Sequence, residues 1–134
     1  MNGKEFYQRS IGYSEIERDS DADASTKYRI GSITKTFTAV IIMQLIEEDK
    51  LKMDSYLSYF FPAVANSEKI TLEHLLSHES GIFNITDAED FTTWMKKPQT
   101  RETMLKRIIK YEPLIEPGEE TRYSNSNYLL LSYI

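Results

Sequence analysis

The chain has 134 residues, 40% hydrophobic and 28% charged, with no cysteine and a formal net charge of −5 at pH 7. That balance suits one soluble globular domain, or a piece of a larger one, and excludes a fibre or a disordered tail. Its acidity, with basic residues scattered apart from Lys96 and Lys97, argues against nucleic acid or acidic membrane as a partner, and the lack of cysteine removes disulfides, thiolate nucleophiles and cysteine metal sites.

The opening MNGKEFYQRS lacks the apolar core of a signal peptide, and no run approaches the ~18 apolar residues of a membrane span. The expected location is cytoplasmic, or periplasmic or secreted where a leader has been removed. From Lys4 to Glu15, KEFYQRSIGYSE mixes aromatic, branched and polar residues and continues through IE, which predicts one or two strands or a bent strand. RDSDADAST is polar and turn-forming, hence a loop. KYRI is then a short extended segment, Gly31 a hinge, and Ser32 the start of a long helix that stops near EEDK. Eight of the ten residues from Phe37 to Ile46 are apolar, so this helix should be buried on nearly every face.

LKMDSYLSYFFPAVANSEK holds helical fragments ending at Pro62, and the aromatics of YLSYFFP read as core or interdomain packing. TLEHLLSHESG reads as a short helix capped by Thr71, with Glu73 in the first turn and Gly81 just beyond its end. Trp94 and Met95 fall in a loop between helices, and the residue pattern leaves open whether they edge a cleft. Thr100 caps a helix whose apolar stripe is Met104, Leu105, Ile108 and Ile109. After a turn-rich stretch around Pro117 and Gly118, YSNSNYLLLSYI is a loop running into an apolar helix.

Two constellations could carry chemistry. Ser32 and Lys35 are three apart, which on a helix puts their side chains on one face. The first turn of a helix favours negative charge on an oxygen there. Desolvation favours the neutral form of an amine, and a neutral amine can take a proton from serine, as in Ser-Lys catalytic variants. By itself the pair reads better as a serine capping a helix and a lysine reaching to water, since about one such triplet arises by chance in a chain like this. RYSNSN places Tyr123 and Asn125 on a polar loop before a helix; a tyrosine beside an ammonium ionises more readily and becomes a usable base. Alone, YSNSN is also an ordinary helix-entry turn.

GSITK opening an apolar helix, ITLEHLLSHESGI and RYSNSNYLLL, in this order and spacing, jointly resemble the serine β-lactamase-related family, which includes class C β-lactamases, D-alanyl-D-alanine carboxypeptidases, D-amino-acid peptidases and family VIII esterases. The resemblance implies an α+β chain forming the N-terminal portion of the β-lactamase/transpeptidase-like fold: a partial antiparallel sheet, a central buried nucleophile helix and a helical lobe. It implies Ser32 as the acylated nucleophile, Lys35 as the lysine that helps deprotonate it, Tyr123 as general base and proton shuttle, and Asn125 as the contact to substrate and lysine. The backbone amide of Ser32 would form half of the oxyanion hole, a term worth about 3 to 4 kcal/mol per donor.

The family's third element, a Lys/His-Thr/Ser-Gly run on a later strand, does not occur in the chain. Residues 1–134 are therefore expected to be a single partial domain, truncated at its C-terminus and weak or inactive alone, with unpaired sheet edges open to self-association. The expected function is serine hydrolysis of an amide, lactam or ester through an acyl-enzyme, on a small-molecule or peptide substrate and without a cofactor. Tyr-Ser-Asn leans toward the carboxypeptidase and esterase members. The alternative is a non-catalytic member that binds a peptidoglycan-like ligand or a partner protein. His74 and His78, four apart on one helix, have the spacing of metal ligands but no third ligand, so no metal site is assigned. Asn84 begins an Asn-Ile-Thr glycosylation triplet to which no function attaches.

Overall fold

The computed structural model describes residues 7–134, which divide into two compact units on either side of the Gly31–Ser32 bond. The Lys4–Phe6 start of the expected strand region lies outside the described residues. In the first unit, β1 (Tyr13–Glu15) pairs antiparallel with β2 (Ser20–Asp21), joined by a 3₁₀ turn at Ile16–Arg18. Asp19 turns the chain at φ +52, a left-handed conformation that aspartate tolerates better than most residues. β2 arises inside the stretch expected to be only loop. The Ser14 hydroxyl donates to the carbonyls of Ser20 and Asp21 and fastens the second strand. The rest of the loop is closed by Asp23, whose carboxylate accepts from the Ser25 amide and from the Ser25 and Thr26 hydroxyls.

The second unit is helical. A 3₁₀ turn at Gly31–Ile33 leads into α1 (Thr34–Glu47), so Ser32 stands in that turn rather than in the helix proper. Then come α2 (Leu72–Ser77), α3 (Phe91–Trp94), α4 (Arg101–Ile109) and α5 (Asn125–Leu131), with further 3₁₀ turns at Leu57–Tyr59 and Ile85–Asp87. The core forms where α5 packs against α2 and α1, with Ile42, Leu57, Leu72, Leu75, Leu130 and Leu131 buried. Of the aromatic run YLSYFFP, Phe61 joins this core while Tyr59 faces solvent.

The burial expected for α1 is not met. Ile42 is buried, but Phe37, Val40 and Ile41 are 61%, 51% and 56% exposed. Apolar residues on every face of a helix require packing on every face, and α5 covers one.

The helix caps follow local chemistry. Thr71 and His74 form a reciprocal capping box at α2, and the Thr100 side chain accepts from the Thr103 amide at α4. The left-handed residue ending α2 is His78, at φ +64, rather than Gly81. Gly81 is needed for a different reason: at φ +74, a β-carbon there would lie 2.1 Å from the Ile115 carbonyl oxygen. Met104 and Ile108 bury the inner face of α4, whereas Ile109 is exposed. Trp94 lies on α3 and packs in the core instead of standing in a loop at a cleft. Its indole donates to Asp90, which also pairs with Arg107 at 2.8 Å and so ties α3 to α4. That guanidinium holds the Asp90 carboxyl below the usual carboxylate range.

Candidate active site

The first turn of α5 is polar yet buried, which requires every polar group to find a partner. Segment 80–86 supplies them. Ser80 donates to Asn127 at 2.6 Å, Ser126 donates to the Phe83 carbonyl at 2.6 Å and accepts from the Ile85 amide at 3.1 Å, and Ser124 donates to the Phe83 carbonyl. The alternating side chains of SNSN thereby stitch the start of α5 to the chain beyond α2. This seam places Tyr123 and Asn125 opposite the start of α1. Asn125 is the first residue of α5 rather than part of a preceding loop.

Across that gap four side chains converge. Ser32 Oγ and Tyr123 Oη are 2.9 Å apart, Lys35 Nζ donates to Ser32 Oγ at 3.2 Å and to Asn125 Oδ1 at 2.7 Å, and Tyr123 Oη donates to Asn125 Oδ1 at 3.3 Å. The one-turn offset between Ser32 and Lys35 works as expected even though the serine sits in a 3₁₀ turn, because residues three apart nearly eclipse in that geometry. Lys35 is half-buried rather than enclosed. Its ammonium lies 5.0 Å from the Tyr123 ring centre and 5.7 Å from that of Tyr128, a cation–π setting that compensates lost hydration.

The electrostatics make Tyr123 easier to ionise than a free phenol. The Tyr123 hydroxyl is pushed below the ordinary phenol value of 10.0, first by the Lys35 ammonium beside it and second by its hydrogen bond with Ser32, although the residue is 49% exposed. Tyr128 goes the other way: burial, and then the charge of Tyr123, raise it, and its hydroxyl donates to the Leu76 carbonyl. Two neighbouring phenols are thus separated in acidity, the pattern expected where one is to act as a base.

Residue patterns did not single out the supports beneath these groups. His78, discounted on sequence as a metal ligand in favour of a hydrogen bond to backbone, makes such a bond, and its ring lies 4.5 Å from that of Tyr123 and 5.2 Å from that of Tyr128. Nδ1 accepts from the Ser124 amide, so Nε2 carries the proton. Burial first, and the Lys35 charge second, hold His78 below the usual imidazole value of 6.5 and keep it neutral at pH 7. His74 is occupied in the α2 capping box. Asn84, met as a glycosylation triplet, is 9% exposed and touches Asn125 directly. No local pattern signals these roles, because the partners lie some 40 positions apart in the chain.

Residues 1–134 match the Beta-lactamase family model over the whole chain. The chain belongs to the β-lactamase family. This β-lactamase-family chain is 35% identical to protein flp of Staphylococcus aureus (strain COL), over 99% of its own length and 27% of that protein's. It is 26% identical to the teichoic acid D-alanine hydrolase of Staphylococcus aureus, covering 99% of itself and 32% of the relative. Among solved structures, the D-stereospecific amidohydrolase from Streptomyces sp. superposes with a TM-score of 0.74 at 30% identity, over 85% of this chain and 38% of that one. The chain therefore spans about a quarter to a third of the length of the curated relatives it matches. Its α+β architecture is a portion of the β-lactamase/transpeptidase-like hydrolase fold.

Proposed function

We propose that this chain carries the nucleophile side of a serine hydrolase that works through an acyl-enzyme. Ser32 is the nucleophile. Tyr123, as phenolate, takes the Ser32 proton while Oγ attacks a carbonyl carbon. Lys35 stays hydrogen-bonded to Oγ and holds the negative charge of the phenolate in place. Tyr123 then returns the proton to the leaving amine or alcohol, and water, activated by the same phenolate, cleaves the acyl-serine. The backbone amide of Ser32 provides one oxyanion donor, and Asn125 holds Lys35 and contacts the substrate amide.

The observation that carries this reading is the meeting of Ser32 Oγ with both Tyr123 Oη and Lys35 Nζ within 3.2 Å. The substrate class is an amide or ester whose acyl part is a D-configured amino acid, a choice supported by the likeness to the D-alanine hydrolase and the D-stereospecific amidohydrolase. The chain is further proposed to be one part of a single larger domain, which completes the oxyanion hole and is the efficient catalyst.

A fluorophosphonate probe applied to the full-length protein tests the reading. Covalent mass on Ser32, lost in Ser32→Ala and in Lys35→Ala, is the expected result. A folded protein that takes up no probe, or labels at another serine, would instead favour a ligand-binding member without turnover.

A further inference from the structure

Asn125 Oδ1 faces Lys35 and Tyr123, and a side-chain amide can point either way unless its NH₂ is held. Here both of its N–H bonds have acceptors: Asn84 Oδ1 at 3.2 Å and Thr86 Oγ1 at 3.1 Å. Asn84 Oδ1 also accepts from the Asn125 backbone amide at 3.0 Å and from the Thr86 hydroxyl at 3.0 Å. With its proton given to Asn84, the Thr86 oxygen can only accept from Asn125. Asn84 is itself fixed, because its own NH₂ donates to Asp87 at 2.9 Å. Reversing the Asn125 amide would set its oxygen against two acceptors and its NH₂ against an ammonium.

We propose that Asn84 and Thr86 are positioning residues for the hydrolytic site, locking the Asn125 amide so that its carbonyl, and not its NH₂, faces Lys35. The proposal rests on the reading of Ser32 and Lys35 above. Neither residue reaches the reacting atoms; both act through Asn125. The Asn-Ile-Thr triplet that looks like a glycosylation acceptor is thus a part-buried hydrogen-bonded clamp, with both polar side chains turned to the site.

The test compares Thr86→Val, which keeps the shape and removes the hydroxyl, with Thr86→Ser, which restores it, and adds Asn84→Ala. Probe acylation of Ser32 in the full-length protein should slow about 10-fold in Thr86→Val and about 100-fold in Asn84→Ala, as for small displacements of a reacting group. The fall should lie in the maximal rate, with half-saturating probe concentration unchanged, and Thr86→Ser should recover the rate. Wild-type rates in folded Thr86→Val and Asn84→Ala, or no recovery in Thr86→Ser, overturn the proposal.

If wild-type protein takes up no probe, the hydrolase reading fails while the clamp is judged by NMR. The Asn125 side-chain NH₂ protons should be protected from solvent exchange in wild type and Thr86→Ser, and lose that protection in Thr86→Val. Protection unchanged in Thr86→Val overturns the clamp.

Discussion

At the scale of single residues, the proposed mechanism turns on the acidity of one phenol. The neighbouring Lys35 ammonium first, and the hydrogen bond with Ser32 second, lower the proton affinity of the Tyr123 oxygen. The fraction of Tyr123 present as base grows as pH rises toward that lowered value. Acylation of Ser32 should therefore climb with pH along a limb centred below the ordinary tyrosine value of about 10. Lys35→Gln should move the limb upward, toward that value. Tyr123→Phe should abolish it and slow acylation by about 10²- to 10⁴-fold. The pH dependence of probe labelling in the three proteins checks this; a Tyr123→Phe protein with wild-type rate and profile would remove Tyr123 from the proposed mechanism. His78 serves the same phenol differently, as a neutral ring packed beside it and an acceptor for the next backbone amide.

At the scale of elements, the site depends on the seam between segment 80–86 and the first turn of α5. Ser126 is its clearest member: fully buried, it satisfies the Phe83 carbonyl and the Ile85 amide at once. Ser126→Ala leaves the Ile85 amide without this partner and the Phe83 carbonyl with only the longer bond from Ser124, in a region closed to water. The expected cost is about 1 to 3 kcal/mol of stability, measured by denaturant unfolding. A loss below about 0.5 kcal/mol, the level of ordinary surface changes, would contradict the seam. Gly81 belongs to the same assembly, since a side chain there would strike the Ile115 backbone at the turn that carries the 80–86 segment past α2. The exposed pairs Lys106–Glu102 and Lys69–Glu116 contribute little by comparison.

At the scale of the whole molecule, the prominent feature is the apolar surface of α1. Phe37, Val40 and Ile41, within one turn of each other on α1, are exposed apolar side chains. Patches of this kind recruit a covering surface. Residues 1–134 studied alone should therefore associate and bind an apolar dye, and Ile41→Glu should reduce both, as read by light scattering and dye fluorescence. A dye-silent monomer at high micromolar concentration would contradict this.

The sequence by itself determined α1, α2, α4 and α5 and the N-terminal caps of α2 and α4, because capping and hydrophobic periodicity are local: Thr71 and Thr100 stand where their hydroxyls meet free amides one turn on. It also determined the family, since three short motifs in fixed order are specific together where each alone is common. It misjudged the burial of α1, whose apolar composition records what the helix can bury and not what covers it. Only the tertiary structure decided which groups meet. Segment 80–86 and the start of α5 are joined by hydrogen bonds spanning some 40 positions, and those bonds turned a glycosylation-like triplet into a clamp and a metal-spaced histidine into a support. The physical reason is that a polar residue announces a need for a partner, while the fold alone chooses which partner meets it.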